Sequence, residues 1–172
     1  MKHWLIRTLL AAALLPLGTA QAQTLRWASQ GDPQTMDPHA LALLYQSRIY
    51  TQVYDSLVNR DEQFRLEPSL ALSWQAMHPI VWRFKLRPGV SFHDGTPFTA
   101  DDVVFSFERA KADTSQLRAY ANFAGTPKKI DDLTVEFVTN GPNPIMLEHV
   151  ATMRGHFDGQ ADTRQLAAGS DF

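Results

Sequence analysis

The stretch from Val81 to Val104 constrains the fold most. Trp82, Phe84 and Leu86 alternate with Arg83, Lys85 and Arg87. A period of two with large apolar side chains on one side is a half-buried strand, aromatic face inward and cationic face outward. Pro88-Gly89 turns the chain, and Val90 and Phe92 resume the alternation. His93-Asp94-Gly95-Thr96-Pro97 is a second turn. Thr99 then stands where a helix N-cap belongs, and Asp101 and Asp102 fall in the first turn, where the helix dipole favours negative charge. Val103, Val104, Phe107 and Ala110 share one helical face, and Lys111 sits near the helix end.

The flanking segments carry weaker patterns. Leu25 and Trp27 alternate with Arg26 and Ala28, a short strand pattern that Gly31-Asp32-Pro33 and then Asp37-Pro38 interrupt. Leu41, Leu44, Tyr45, Ile49, Val53 and Leu57 recur at helical spacing and predict an amphipathic helix from near Ala40. Asn59 to Glu62 is a polar turn, and Leu66 to Trp74 is mixed, with Pro68 favouring an extended or loop entry. Lys128 to Ile130, the Asp131-Asp132 turn, and Leu133, Val135 and Phe137 predict a β-hairpin. Asn140 to Pro144 closes it, and Ile145 to Met153 opens a further helix. The fold class is α/β (α+β), with no internal repeat. Beyond Met153 only Phe157, Leu166 and Phe172 are large and apolar, with no period, so residues 154–172 are expected to be loose.

Composition narrows the function. The 172 residues are 44% hydrophobic and 20% charged, enough for one packed domain. A formal net charge of -2 argues against general nucleic-acid binding, which needs a basic face. There is no cysteine, so disulfides, thiolate metal sites, a cysteine nucleophile and a cysteine-linked lipid anchor are excluded. Residues 1–22 have the layout of a secretory signal: Lys2 and Arg7, an apolar run from Leu9 to Leu17, then Ala20-Gln21-Ala22. The run is shorter than the ~20 apolar residues a bilayer crossing takes. Cleavage is expected after Ala22, giving an exported, periplasmic, soluble protein. Without those residues the chain holds 14 basic and 18 acidic side chains, a formal net charge of -4.

Chemistry-bearing motifs are few. No phosphate-loop or dinucleotide glycine pattern, zinc helix or nucleophile elbow is present. His39, His78, His93, His149 and His156 show no metal-ligand spacing. His93-Asp94 offers a metal site or a held base, but a turn explains it better, with Asp94 bonding nearby N–H groups and Gly95 at positive φ. Asp101-Asp102 suits the helix dipole better than acid–base work, and Asp131-Asp132 suits a hairpin turn. Trp82 and Phe84 belong to a core. Trp27 and Trp74 fit either a core or a ligand cleft. With no catalytic set and no metal set, the chain reads as a binder with no cofactor.

Several blocks resemble the bacterial extracellular solute-binding proteins, family 5, the peptide, opine and nickel class that serves ABC importers. WRFKLRPGVSFHDGTPFTADDVV (Trp82 to Val104) resembles the family's signature region nearly throughout. GDPQTMDPHA (Gly31 to Ala40), VYDSLVNRD (Val53 to Asp61), LEPSLALSW (Leu66 to Trp74) and IDDLTVEFVTNGPNP (Ile130 to Pro144) resemble other blocks, in the same order. The resemblance implies a periplasmic-binding-protein type II fold, with residues 23–153 forming an incomplete first lobe plus a small hairpin-rich subdomain. In that fold two lobes close on a ligand like a hinged trap, and the closed form docks on a membrane permease. It further implies a monomer that binds peptide or a related small solute. Ser29, Gln30, Thr35 and Met36 are expected to line the first-lobe wall, against the alternative of a plain surface loop. Family members are several times longer, so the chain is expected to be truncated, with 154–172 disordered or out of frame. Two other readings stay open: an inert remnant of such a gene, and a secreted hydrolase with unrecognised catalytic residues.

Overall fold

A computed structural model describes residues 28–29 and 31–153. Residues 1–22, read above as a secretory signal, the Leu25–Trp27 alternation, Gln30 and residues 154–172 lie outside them. The described chain runs α1 (Leu44–Tyr50), β1 (Val58–Arg60), β2 (Leu66–Pro68), β3 (Ala71–His78), β4 (Val81–Leu86), α2 (Ala100–Ala110), α3 (Arg118–Ala124), β5 (Thr126–Asp131), β6 (Thr134–Val138) and α4 (Met146–Thr152). β1 and β2 form a two-stranded sheet, and the other four strands form a sheet in the order β3-β4-β6-β5. Every pairing is antiparallel, so the mixed architecture is of the α+β kind.

The alternation in β4 sorts as its side chains dictate. Phe84 and Leu86 are buried and Trp82 is half-buried against the same core. On the opposite face Arg83 pairs with Glu136 of β6 (Nε to Oε1, 2.8 Å), and the Lys85 ammonium donates to the Thr134 hydroxyl at 2.7 Å. The core is aromatic at its centre. Phe137 meets Phe84 edge-on at 5.4 Å and Phe107 of α2 at 4.6 Å, arrangements that add stabilisation beyond area burial. Val103 and Ala110 of α2, Ala121 and Ala124 of α3, and Met146 and Val150 of α4 complete it. Trp74 is half-buried and packs against this core.

α2 starts as expected. Thr99 is its N-cap, and the Asp102 carboxylate reaches back to accept from the Thr99 N–H (2.8 Å) and hydroxyl (3.0 Å), a capping box. Asp101 instead accepts from the Lys129 ammonium at 2.6 Å, tying the helix start to the β5–β6 hairpin.

Two expectations need correction. The helix expected from near Ala40 is only the seven residues Leu44–Tyr50, and its buried side chains are Gln46 and Tyr50, while Leu44 is 74% exposed. The polar members of this helix face inward because they bond backbone carbonyls beneath it. The turn read at Asn59–Glu62 begins later, since Asn59 and Arg60 belong to β1. The Asp61 carboxylate accepts from the N–H groups of Gln63 and Arg65 (both 2.9 Å) and so organises the loop to its C-terminal side. Phe64 closes that loop at φ 62°, a left-handed conformation that bulky residues rarely adopt. The mixed stretch 66–74 divides into β2 and the start of β3; the N–H groups of Leu70 and Ala71 donate to the carbonyls of Ser56 and Leu57 (3.0 and 2.9 Å).

Candidate functional site

The segment that precedes α1 is held from two sides. From the α1 side, the Gln46 amide donates to the Thr35 carbonyl (2.8 Å), the Tyr54 hydroxyl to the Met36 carbonyl (2.8 Å) and the Tyr50 hydroxyl to the Asp37 carbonyl (2.9 Å). Gln46 also donates to the Tyr50 oxygen. Burial pushes the Tyr50 phenol up, the Gln46 bond draws it partly back, and the Asp37 charge adds to the rise, so the hydroxyl keeps the proton it donates. From the α2 side, Arg109 bridges the Asp37 carboxylate (2.8 Å) and the Nδ1 of buried His39 (2.8 Å). A guanidinium has donors only, so His39 Nδ1 accepts this bond and is unprotonated there. Within the segment, Thr35 Oγ1 accepts from the Asp37 N–H (3.0 Å) and Asp37 Oδ1 from the His39 N–H (2.9 Å). The N–H of Gln116, on the loop before α3, donates to the His39 carbonyl at 3.1 Å.

This fixed backbone carries two of the expected wall residues. Met36 is 38% exposed and Thr35 half-buried. Ser29 is exposed, and Gln30 lies outside the described residues. The spacing 46, 50, 54 was present in the sequence, but its residues are polar and its targets are main-chain carbonyls, which side-chain patterns do not mark.

The carboxylate pairs take the structural roles expected of them. Asp94 accepts from the Thr96 N–H (2.8 Å) and hydroxyl (2.6 Å), Gly95 has φ 87°, and His93 is exposed. Asp131 accepts from the Leu133 N–H at 2.9 Å, and Asp132 pairs with Lys129 at 2.7 Å. Asp101 and Asp132 together raise the Lys129 pKa. Among the described residues no group of three His, Cys, Asp or Glu side chains is placed to hold a metal ion. Among them, too, no helix is long and apolar enough to cross a membrane.

A pH prediction follows from the turns. Bonds from the Thr96 side chain and N–H hold the Asp94 carboxyl below its usual range; the Arg65 N–H does so first for Asp61, and the Thr134 side chain first for Asp131. Each group has a lowered pKa in the folded chain. The turn stability it contributes is therefore complete above the unfolded value, about 3.9, and is lost as pH falls through the lowered value. Carboxyl-carbon NMR titration should give all three groups midpoints below that of a free aspartate. A midpoint at or above it would contradict the bonding described.

Two grooves lie elsewhere on the surface. One, of about 770 Å³, runs between α3 and the start of α4 and includes Phe123, Asn143, Ile145 and His149. The other, of about 370 Å³, lies between α1, the β1–β2 hairpin and the end of α4. Neither touches the 29–36 segment.

An antiparallel sheet capped by α2, with a pinned entry segment beside it, is the N-terminal portion of a periplasmic binding-protein type II fold. The profile of the bacterial extracellular solute-binding proteins, family 5 (middle region), matches residues 65–169, and the chain belongs to that family. The match runs past Met153 through most of the segment 154–172. The periplasmic murein peptide-binding protein MppA of Escherichia coli K12 is 33% identical over 115 residues, which cover 66% of this chain and 21% of that protein. Di/tripeptide-binding protein 4 of Pseudomonas aeruginosa UCBPP-PA14 is 31% identical over 195 residues, covering 98% of this chain and 37% of that protein. The structure of AgaA from A. tumefaciens R10 in complex with agropinic acid superposes with a TM-score of 0.74 at 23% identity, over 83% of this chain and 29% of that one. The chain thus spans well under half the length of these relatives, and they are binding proteins by name.

Proposed function

We propose that this chain supplies the N-terminal lobe portion of the substrate-binding component of an ABC importer, holding peptide or a related small solute for delivery to a membrane permease. Family membership joined to the pinned 35–37 backbone carries the reading. A fixed main chain that leaves Met36 open to solvent is what one wall of a ligand trap requires, because a wall that must first be ordered loses affinity. The basic n-region and short apolar run of residues 1–22 support export to the periplasm, with cleavage after Ala22, and the matched relatives include periplasmic proteins by name. The chain acts as a monomeric binder, without catalysis, cofactor or nucleic acid. Its solute is left at the level of class, since relatives are named for murein peptides and for di- and tripeptides.

The test is thermal melting of the chain with tri-alanine, alongside an assay for tripeptide cleavage. One wall of a trap binds weakly. At a millimolar Kd and about 10 mM peptide, linkage gives about 1.4 kcal/mol, or a rise in Tm of roughly 4 °C for a domain of this size. A cooperative melt that does not move with peptide would favour an inert remnant. Cleavage that persists through repurification would establish a hydrolase instead. Sequencing the other two frames after the Met153 codon tests the out-of-frame origin of residues 154–172.

A further inference from the structure

We infer that Gln46, Tyr50 and Tyr54 are positioning residues that fix the ligand-facing wall, a role that rests on the functional reading above. The observation is a cluster of donors four residues apart that covers three successive carbonyls. Gln46 donates to the Thr35 carbonyl, Tyr54 to that of Met36 and Tyr50 to that of Asp37, and the Tyr50 hydroxyl also lies 3.1 Å from the Thr35 carbonyl. The spacing continues past the end of α1 because the Tyr54 N–H still donates to the Tyr50 carbonyl at 2.8 Å. The two tyrosine rings meet edge-on at 6.1 Å, which sets the spacing of their hydroxyls.

The chemistry of Gln46 separates this from ordinary packing. Its side chain is fully buried, both of its N–H directions are used, and its Oε1 has no hydrogen-bond partner. Leaving a buried acceptor unmade is unfavourable. An apolar side chain would fill the same volume without that cost, so what glutamine adds is the pair of donors, one on the Thr35 carbonyl and one on the Tyr50 oxygen. With its carbonyls occupied, the 35–37 backbone cannot rotate them toward solvent. The directions of the Thr35 and Met36 side chains are then set before any solute arrives. Pre-organisation of this kind raises affinity by removing an ordering step.

The experiment uses the full chain and three variants: Tyr54→Phe, Gln46→Met, and Tyr45→Phe as a control on the same helix. Amide hydrogen exchange at His39 and Ala40 reports on the segment. Tri-alanine affinity, read by calorimetry, reports on the wall. One hydrogen bond of ordinary net strength corresponds to about fivefold. Tyr54→Phe is expected to speed exchange at those amides about fivefold and to weaken tri-alanine binding about fivefold, with Tm within about 2 °C of the parent. Gln46→Met should act in the same direction, and Tyr45→Phe should change neither. Unchanged exchange in both Tyr54→Phe and Gln46→Met overturns the clamp. Faster exchange with unchanged affinity overturns its role in positioning ligand and leaves a structural tether. A parent chain that fails to bind tri-alanine sinks the functional reading and the ligand role together, while the exchange result still decides whether the clamp exists.

Discussion

Phe137→Ala is expected to destabilise the domain by about 4 kcal/mol, the usual cost of emptying a buried aromatic site. Phe137 is completely buried and touches two other rings, Phe84 from the neighbouring strand and Phe107 from α2. It therefore joins sheet to helix. Removing it takes away apolar burial and both edge-on contacts, and leaves a cavity whose walls, β4 and α2, are too constrained to collapse. A small domain holds about 5–15 kcal/mol in total, so the variant should unfold at far lower urea than the parent, followed by tryptophan fluorescence. Val138→Ala, one residue along on the more exposed side of the same strand, should change stability by less than about 1 kcal/mol. A Phe137→Ala loss as small as that of Val138→Ala would mean the described core does not organise the fold.

Gly125→Ala is expected to be nearly as damaging, by a different route. Gly125 ends α3 and starts β5 within a single residue, at φ 92° and ψ −158°, a region open essentially to glycine alone. A methyl group there would lie 2.8 Å from the Val138 carbonyl carbon and 2.9 Å from the Thr139 Cα. Both are backbone atoms at the end of β6, and they cannot move aside without breaking the β5–β6 pairing at Thr126 and Val138. Strain in such a conformation costs about 1–3 kcal/mol, and displacement of the strand adds to it. We expect a loss of about 3 kcal/mol in urea unfolding. Gly89→Ala provides the comparison: its φ is 71°, but nothing lies within 4 Å of the added carbon, so only the conformational part should be lost. Equal losses at the two positions would show that the close approach of β6 is not what requires Gly125.

The parts of this fold that the sequence made legible share one property: their determinants are local. β4 shows its alternation because one face meets Phe137 and the other meets Glu136 and solvent. α2 shows its start because Thr99 and Asp102 satisfy each other three residues apart. The β5–β6 hairpin shows its turn because Asp131 and Asp132 bond neighbours within three residues. β3 was illegible because it is an edge strand; only Ala71 is buried, and Leu72 and Met77 are exposed. α3 was illegible because it buries only Ala121 and Ala124, small residues that leave no visible stripe. α1 misled, since its apolar stripe suggested an inward face that is in fact occupied by Gln46 and Tyr50. The entry segment could be named as a wall only through the family's likeness. Its fixity depends on donors 11, 13 and 18 residues away acting on carbonyls, and on Arg109 and Gln116 far along the chain, and main-chain acceptors carry no residue-type signature.

A chimera tests the account most directly. Residues 28–153 would replace the matching stretch of E. coli MppA, and the folded product would be melted with and without tripeptide. If these residues are the first-lobe portion of a solute trap, the chimera should bind, with a Tm that rises with peptide concentration and a rise that Tyr54→Phe diminishes. A chimera that folds cooperatively and melts at the same temperature at every peptide concentration would contradict the account.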